Sequence, residues 1–574
     1  MSPEQIPPAL YFLAAALLLP LLPVSWRPGV MVAFPLAALF AALALPEGPL
    51  VSVSFLHYEL VPLRVDGLGR LFAIAFSLVA VVGGIYSWHE RDLRQQVAAL
   101  LYAGGAVGVV LAGDFLTLLL YWEVMAVASA FLVWSGTMPG AGGAGFRYLL
   151  FHLFGGALLL AGIIFQVHAT GSLEVGSFLE DPTPGTVLIL LGVLVNAGMP
   201  PFHMWMPDSY PKASVTGAVF LSAFTTKTAV YVLARCFPGW EVLLIVGSLM
   251  ALYGVYYAIL SNDIRQILSY HIVSQVGYMV VAIGVGGEFG INAAGAHAYN
   301  HLLYKTLLFM GTGAVLFSVG STRLTDLGGL RKSMPWVVLL YLIGGASISG
   351  FPLTGGFVSK ALVMEGVYRI ESAAFYLLVV ASVGTFLSVG VKLPYFTWFH
   401  RDAKRKPQRE VPRTMLWAMG ILAFLCLLFG MYPPALYAFL PFPEDYAAYT
   451  LLGVLKPIHL FLATFVGFWL FRHKLLGPAK IVLDLDWFYR KPAPYFRIVF
   501  IDGVNRVFDA CERWLDVLAA KTASASRHPR ALIGLSPKGR QGDFDPDADR
   551  TLLGRSVSLT VLTVVVVIFW TLLF

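Results

Sequence analysis

About sixteen stretches of this chain are long and apolar enough to cross a bilayer. They begin near residues 9, 28, 71, 97, 114, 148, 185, 214, 241, 267, 293, 335, 374, 414 and 452, with one more at 555–574. In hydrocarbon every backbone N–H and C=O must be satisfied within the protein, so repeated apolar runs of this length admit few architectures. The expected fold is an all-α polytopic membrane protein. Composition agrees, with 58% hydrophobic and 12% charged residues and a mean hydropathy of +0.76. The formal charge of +7 does not point to nucleic acid, because the basic residues are scattered over short loops and the C-terminal region. Cys236, Cys426 and Cys511 are far apart and show no ligand spacing, so neither a disulfide framework, a metal site nor any redox cofactor is expected. MSPEQIPPAL lacks a basic n-region, so the first apolar run is expected to remain as a span.

Two of the runs are interrupted. One breaks at Pro200-Pro201 and the other at GFPLTGGFVSK, residues 350–360. Broken helices at membrane depth survive where they are buried in protein or line a watery path, and paired breaks point to internal repeats. The expected organisation has N-terminal helices at 1–96, one repeat at 97–236, an inverted second repeat at 241–399 and further core helices at 400–471. A last region, 472–574, holds an amphipathic helix, a flexible link and a terminal span.

Lys and Arg fall on alternate loops. One set, ending in the cluster at 401–413, holds fifteen, whereas the opposite set holds five: Arg64, Arg70, Arg235, Arg369 and Lys456. By the positive-inside rule the N-terminus is expected outside and residues 472–553 in the cytoplasm of a bacterial or archaeal plasma membrane. Between Tyr495 and Leu518 apolar residues recur at three- and four-residue spacing, as on a helix lying along the membrane or on a neighbour.

Ionisable residues inside spans are costly and mark function by default. Glu123 stands in the middle of one apolar run and Lys227 in the middle of another. His297, His301 and Lys305 follow at four-residue spacing and share one helical stripe, as a proton relay requires. Zinc on the histidine pair is the weaker reading, because no Glu follows His297 as in HExxH and no third ligand is evident. Lys360 lies just past the second break, and Lys392 is near a helix end where it either conducts or snorkels. His203 and Asp208, and His271 with Gln275, read as polar groups at span ends. His152 reads as a lone structural histidine.

The segments PPFHMWMPDSYPKA, LSAFTTKTAVYVLAR, DIRQILSYHIVSQVGYM, AHAYNHLLYKTLLFMGTGAV, LGGLRKSMP and FPLTGGFVSK, in that order, resemble the antiporter-like proton-pumping subunits of respiratory complex I and the D-type subunits of Mrp cation/proton antiporters, more closely the latter. The resemblance covers roughly residues 60–400. It implies that Glu123 is the essential glutamate, Lys227 the lysine after the broken helix, His301 and Lys305 the central relay and Lys360 the terminal charge. The family's lysine before the first break is replaced by Asn196, which leaves the first half-channel to Lys227 with Glu123, to water, or to altered coupling. The C-terminal helix resembles a shortened lateral helix and implies docking to a neighbouring subunit.

The expected function is therefore proton translocation within a multisubunit Na+/H+ antiporter, with the bilayer, other membrane subunits, protons and possibly Na+ as partners. The alternative is a pumping subunit of a redox-driven complex of the NADH:quinone oxidoreductase or membrane hydrogenase type. A membrane anchor without transport is a third reading.

Overall fold

The computed structural model describes residues 6–178, 182–400, 405–475, 483–527 and 557–564. The contacts divide it into Met1–Leu485 and Asp486–Phe574.

The first unit opens with α1 (Pro8–Leu18) and α2 (Arg27–Ala44), followed by an antiparallel hairpin of β1 (Gly48–Phe55) and β2 (Tyr58–Val65). This hairpin corrects the all-α expectation. Its cause is local, since Val51, Val53 and Phe55 alternate with small or polar residues at period two. Next come α3 (Gly67–Tyr86), α4 (Leu93–Leu111), α5 (Phe115–Trp134) and α6 (Ala141–Thr170). Asp66, Asp92 and Asp114 cap α3, α4 and α5 by accepting from the first free backbone N–H groups.

The interrupted elements follow. Helix α7 (Pro184–Ala197) ends at Gly198, whose φ of +82° only glycine adopts without strain. The chain resumes as α8 (Trp205–Ser209), bent by 43° from α7. A second interruption at Phe224 separates α9 (Gly217–Ala223) from α10 (Thr225–Cys236). Beyond α11 (Val242–Leu260), α12 (Ile264–Val285) and the 33-residue α13 (Gly287–Val319), α14 (Pro335–Ser349) stops at Gly350, φ +83°, before Pro352, and α15 (Gly355–Arg369) begins. The breaks after α7 and α14 are built alike, each a left-handed glycine that ends an apolar helix just before proline.

Helix α16 (Ala374–Thr385) continues as π-helical turns over Phe386–Lys392 and Tyr395–Phe399, and α17 (Arg413–Met431), α18 (Pro433–Tyr437) and α19 (Leu451–Leu475) close the unit. Helices α10, α12 and α13 are buried along most of their length, whereas α19 buries only Phe461 and Phe468. The polar residues lie on the buried helices, and the exposed ones present Leu, Val and Phe to the bilayer.

Among the described residues eleven helices are long and apolar enough to span a membrane, or twelve if the bent pair of α7 and α8 is one span. The expected sixteen is not reached. Apolar helices at Pro8–Leu21 and Pro335–Ser349 are short, α4 carries Arg94, Gln95 and Gln96, and most of 555–574 lies outside the described residues, as do residues 528–556 and part of the 401–413 cluster. The second unit contains α20 (Trp487–Arg490), α21 (Ala493–Phe496), π-helical turns and α22 (Gly503–Arg527), whose Val507, Phe508, Trp514 and Leu515 are exposed.

Candidate functional site

The buried ionisable groups form a row that starts at α10 and runs along α13. Lys227 is fully buried, and its Nζ donates to the Ser222 carbonyl at 2.6 Å, across the interruption between α9 and α10. Lys360 does the same at the later break, where its Nζ lies 3.5 Å from the Ser349 carbonyl at the end of α14 and 5.2 Å from the Tyr278 ring centroid. Each lysine thus reaches back to a carbonyl at the end of the preceding helix, where backbone acceptors are left over.

Between them lies the stripe on α13. The His297 and His301 ring centroids are 6.4 Å apart, and His297 Nδ1 is 3.1 Å from Ser359 Oγ on α15. Both His301 nitrogens and the Lys305 Nζ are buried without a hydrogen-bond partner among the described residues. Such groups are costly when unmatched and mark sites where something else is exchanged. Lys227 is within electrostatic reach of Lys305 and His301, and Lys360 of His297 and His301.

His271 joins this row. The sequence suggests a polar group at a span end, but it lies inside α12, fully buried, with Nε2 2.5 Å from Ser388 Oγ and with Lys305 and Lys360 in electrostatic reach. A signal for it exists in the sequence, since it precedes Gln275 by four residues, and Gln275 Oε1 accepts from Tyr304 at 3.4 Å.

Glu123 and Lys392 lie apart from the row. The Glu123 carboxylate sits against Gly156 of α6, where any Cβ would collide with it. Lys227 is not its partner in this structure. Lys392 donates to the carbonyls of Ile259 and Ser261 at 2.6 and 2.9 Å and so closes the C-terminus of α11. Asp208 is held by Arg147 at 2.7 Å and Lys212 at 2.6 Å. His203 meets Asp484, far along the chain, at 3.4 Å, and Tyr253 and Tyr270 donate to the same carboxylate. Burial alone would push the Asp484 carboxyl up, but the bonds from His203 and the tyrosines outweigh it and hold it below the usual range. No sequence signal links residue 484 to residue 203.

A family model described as the transmembrane part of NADH:quinone oxidoreductase/Mrp antiporter matches residues 112–388. An uncharacterised protein of Methanocaldococcus jannaschii is 30% identical over 384 residues, which are 63% of this chain and 79% of that protein. The chain belongs to the NADH:quinone oxidoreductase/Mrp antiporter family. Other relatives include a Na(+)/H(+) antiporter subunit of Alkalihalophilus pseudofirmus, 30% identical over 66% of this chain and 54% of its own length. Hydrogenase-4 component B of Escherichia coli is 27% identical over 64% of this chain and 62% of its own length. The chain thus spans little more than half of these two relatives. The fold is shared with a chain of the Mrp complex of Dietzia sp., at TM-score 0.67 and 21% identity over 83% of this chain and all of that one. It is shared equally with a chain of Thermus thermophilus respiratory complex I, at TM-score 0.66 and 23% identity over 76% and 99%. The family match encloses Glu123, Lys227, the α13 stripe and Lys360 and stops short of Lys392.

Proposed function

We propose that the chain is the proton-translocating membrane subunit of a multisubunit Na+/H+ antiporter and that protons pass along Lys227, Lys305, His301, His297 and Lys360, with Glu123 setting the charge of the entry half. The observation that carries this reading is the row of buried ionisable groups between two broken helices, in which four polar atoms, His297 Nε2, both His301 ring nitrogens and Lys305 Nζ, have no hydrogen-bond partner among the described residues. Two unit charges about 6 Å apart at an effective dielectric near 20 interact by roughly 3 kcal/mol, about two units of proton affinity, so loading one site unloads its neighbour. No swing of a whole domain is needed.

Further parts of the proposal are sixteen spans in two inverted repeats, an external N-terminus and a cytoplasmic face bearing the basic loops. The supporting assay measures collapse of an imposed pH gradient in inverted vesicles carrying the whole complex, with Lys305→Ala as the variant. Retention of wild-type flux with normal assembly rejects the path. Kinship with hydrogenase-4 component B supports a second reading, a redox-driven complex. Flux that depends on an electron donor rather than on Na+ decides for it.

A further inference from the structure

The acid of the entry half has no counter-charge among the described residues, and a titratable ring lies one helical turn from the glycine on which that acid rests. Glu123 is half-buried and meets no cation among the described residues. Its carboxylate lies on Gly156, and His152 is one turn away on the same face of α6. The His152 ring is buried, with Nδ1 3.0 Å from Asn196 Oδ1 on α7. With the amide oxygen facing the ring, Nδ1 carries the hydrogen and Nε2 holds the lone pair. That Nε2 is buried without a hydrogen-bond partner among the described residues. A histidine kept only for packing would leave such an atom unmatched at a cost of about 1–3 kcal/mol. Tyr148 and Trp205 pack on the ring at centroid distances of 4.2 and 4.6 Å and hold it in place. His152 and Asn196 also line a tight seam with Trp122, Thr225 and Thr228, and Thr225 shares a 2.6 Å hydrogen bond with Tyr102.

Resting on the transport reading above, we infer that His152 is the proton-loading group of the entry half and that Asn196 is its positioning residue. The proton enters at Nε2, turning neutral imidazole into imidazolium, and leaves from the same nitrogen. It cannot pass onward through Nδ1, because a carboxamide does not take up a proton at neutral pH. Asn196 therefore makes the ring a store rather than a wire. The ionisable groups on the surrounding elements are Tyr102 on α4, Tyr121 and Glu123 on α5, Tyr148 on α6, Asp208 on α8, Tyr210 just after it and Lys227 on α10. Asp208 is neutralised by Arg147 and Lys212, which leaves Glu123 as the acid of this set without a cation among the described residues.

The test is flux against pH in inverted vesicles carrying the whole complex. His152→Gln keeps the volume and removes the proton, and should lower flux at least about tenfold with assembly intact. Asn196→Asp, which favours the imidazolium, should move the profile to higher pH by about one unit, and Asn196→Leu, which withdraws the acceptor, should move it to lower pH. Wild-type flux and profile in His152→Gln overturn the inference. Should that variant not assemble, unchanged profiles in both Asn196 variants overturn it instead. Lys305→Ala in the same vesicles separates the two levels: if it abolishes flux while His152→Gln does not, the path stands without His152, and if it too is silent, the transport reading and this inference fall together.

Discussion

Glu123 and Lys305 differ from Lys392 in what their charged ends meet, and Lys227, which like Lys392 donates to a helix-end carbonyl, differs from it in lying within electrostatic reach of His301 and Lys305; these differences predict how substitutions will behave. Glu123→Gln preserves shape and removes the charge, so transport should fall at least about tenfold, ~1.4 kcal/mol on the transfer step, while the complex still assembles. Lys227→Ala and Lys305→Ala should be comparably severe, because no other residue on α10 or α13 supplies the same cation in the row. Lys392 instead closes two carbonyls at the end of α11. Lys392→Met should therefore cost stability, on the order of 1–3 kcal/mol, and leave flux per assembled complex near wild type. Thermal melting of the purified complex alongside vesicle flux checks the ordering. Flux lost at Lys392 and kept at Lys227 would mean that the protons travel through other helices.

At the scale of elements, close helix approach sets the site. Gly156 lets α5 and α6 come together with the Glu123 carboxylate between them. Gly156→Ala should force that carboxylate aside at little cost in stability, because it is the far end of a flexible side chain, and reduce flux by roughly tenfold, with α6 intact because alanine favours helix. Equal flux in the variant would show that the position of the carboxylate is not critical. The two helix breaks, by contrast, are legible in the sequence, since glycine followed by proline in an apolar run has few other outcomes. The interruption at Phe224 is not, as SAFTTKTAV contains neither residue. The β1–β2 hairpin is also hidden, because its alternation is short and lies between two strong helical signals.

Over the whole first unit, Asp484 ties a late segment to the first break through His203, Tyr253 and Tyr270. Because its carboxyl is held below the usual range when folded, its contribution is full above the ordinary carboxylate value and is lost as pH falls through the lowered one. Asp484→Asn should accordingly melt earlier than wild type at neutral pH, with the gap closing below about pH 4. Equal melting at neutral pH would remove the tether. The sequence by itself determined the membrane class, most of the helices and the ionisable residues of α10, α13 and α15 in the row, because bilayer thickness and the cost of a buried charge act on each segment separately. Which of those residues meet was decided only by tertiary packing. It put Lys227 on the Ser222 carbonyl rather than on Glu123, set His271 within reach of Lys305 and Lys360, put Lys392 on the carbonyls that end α11 and placed His152 against Asn196, because such pairings depend on helix rotation and approach, which a single segment does not specify.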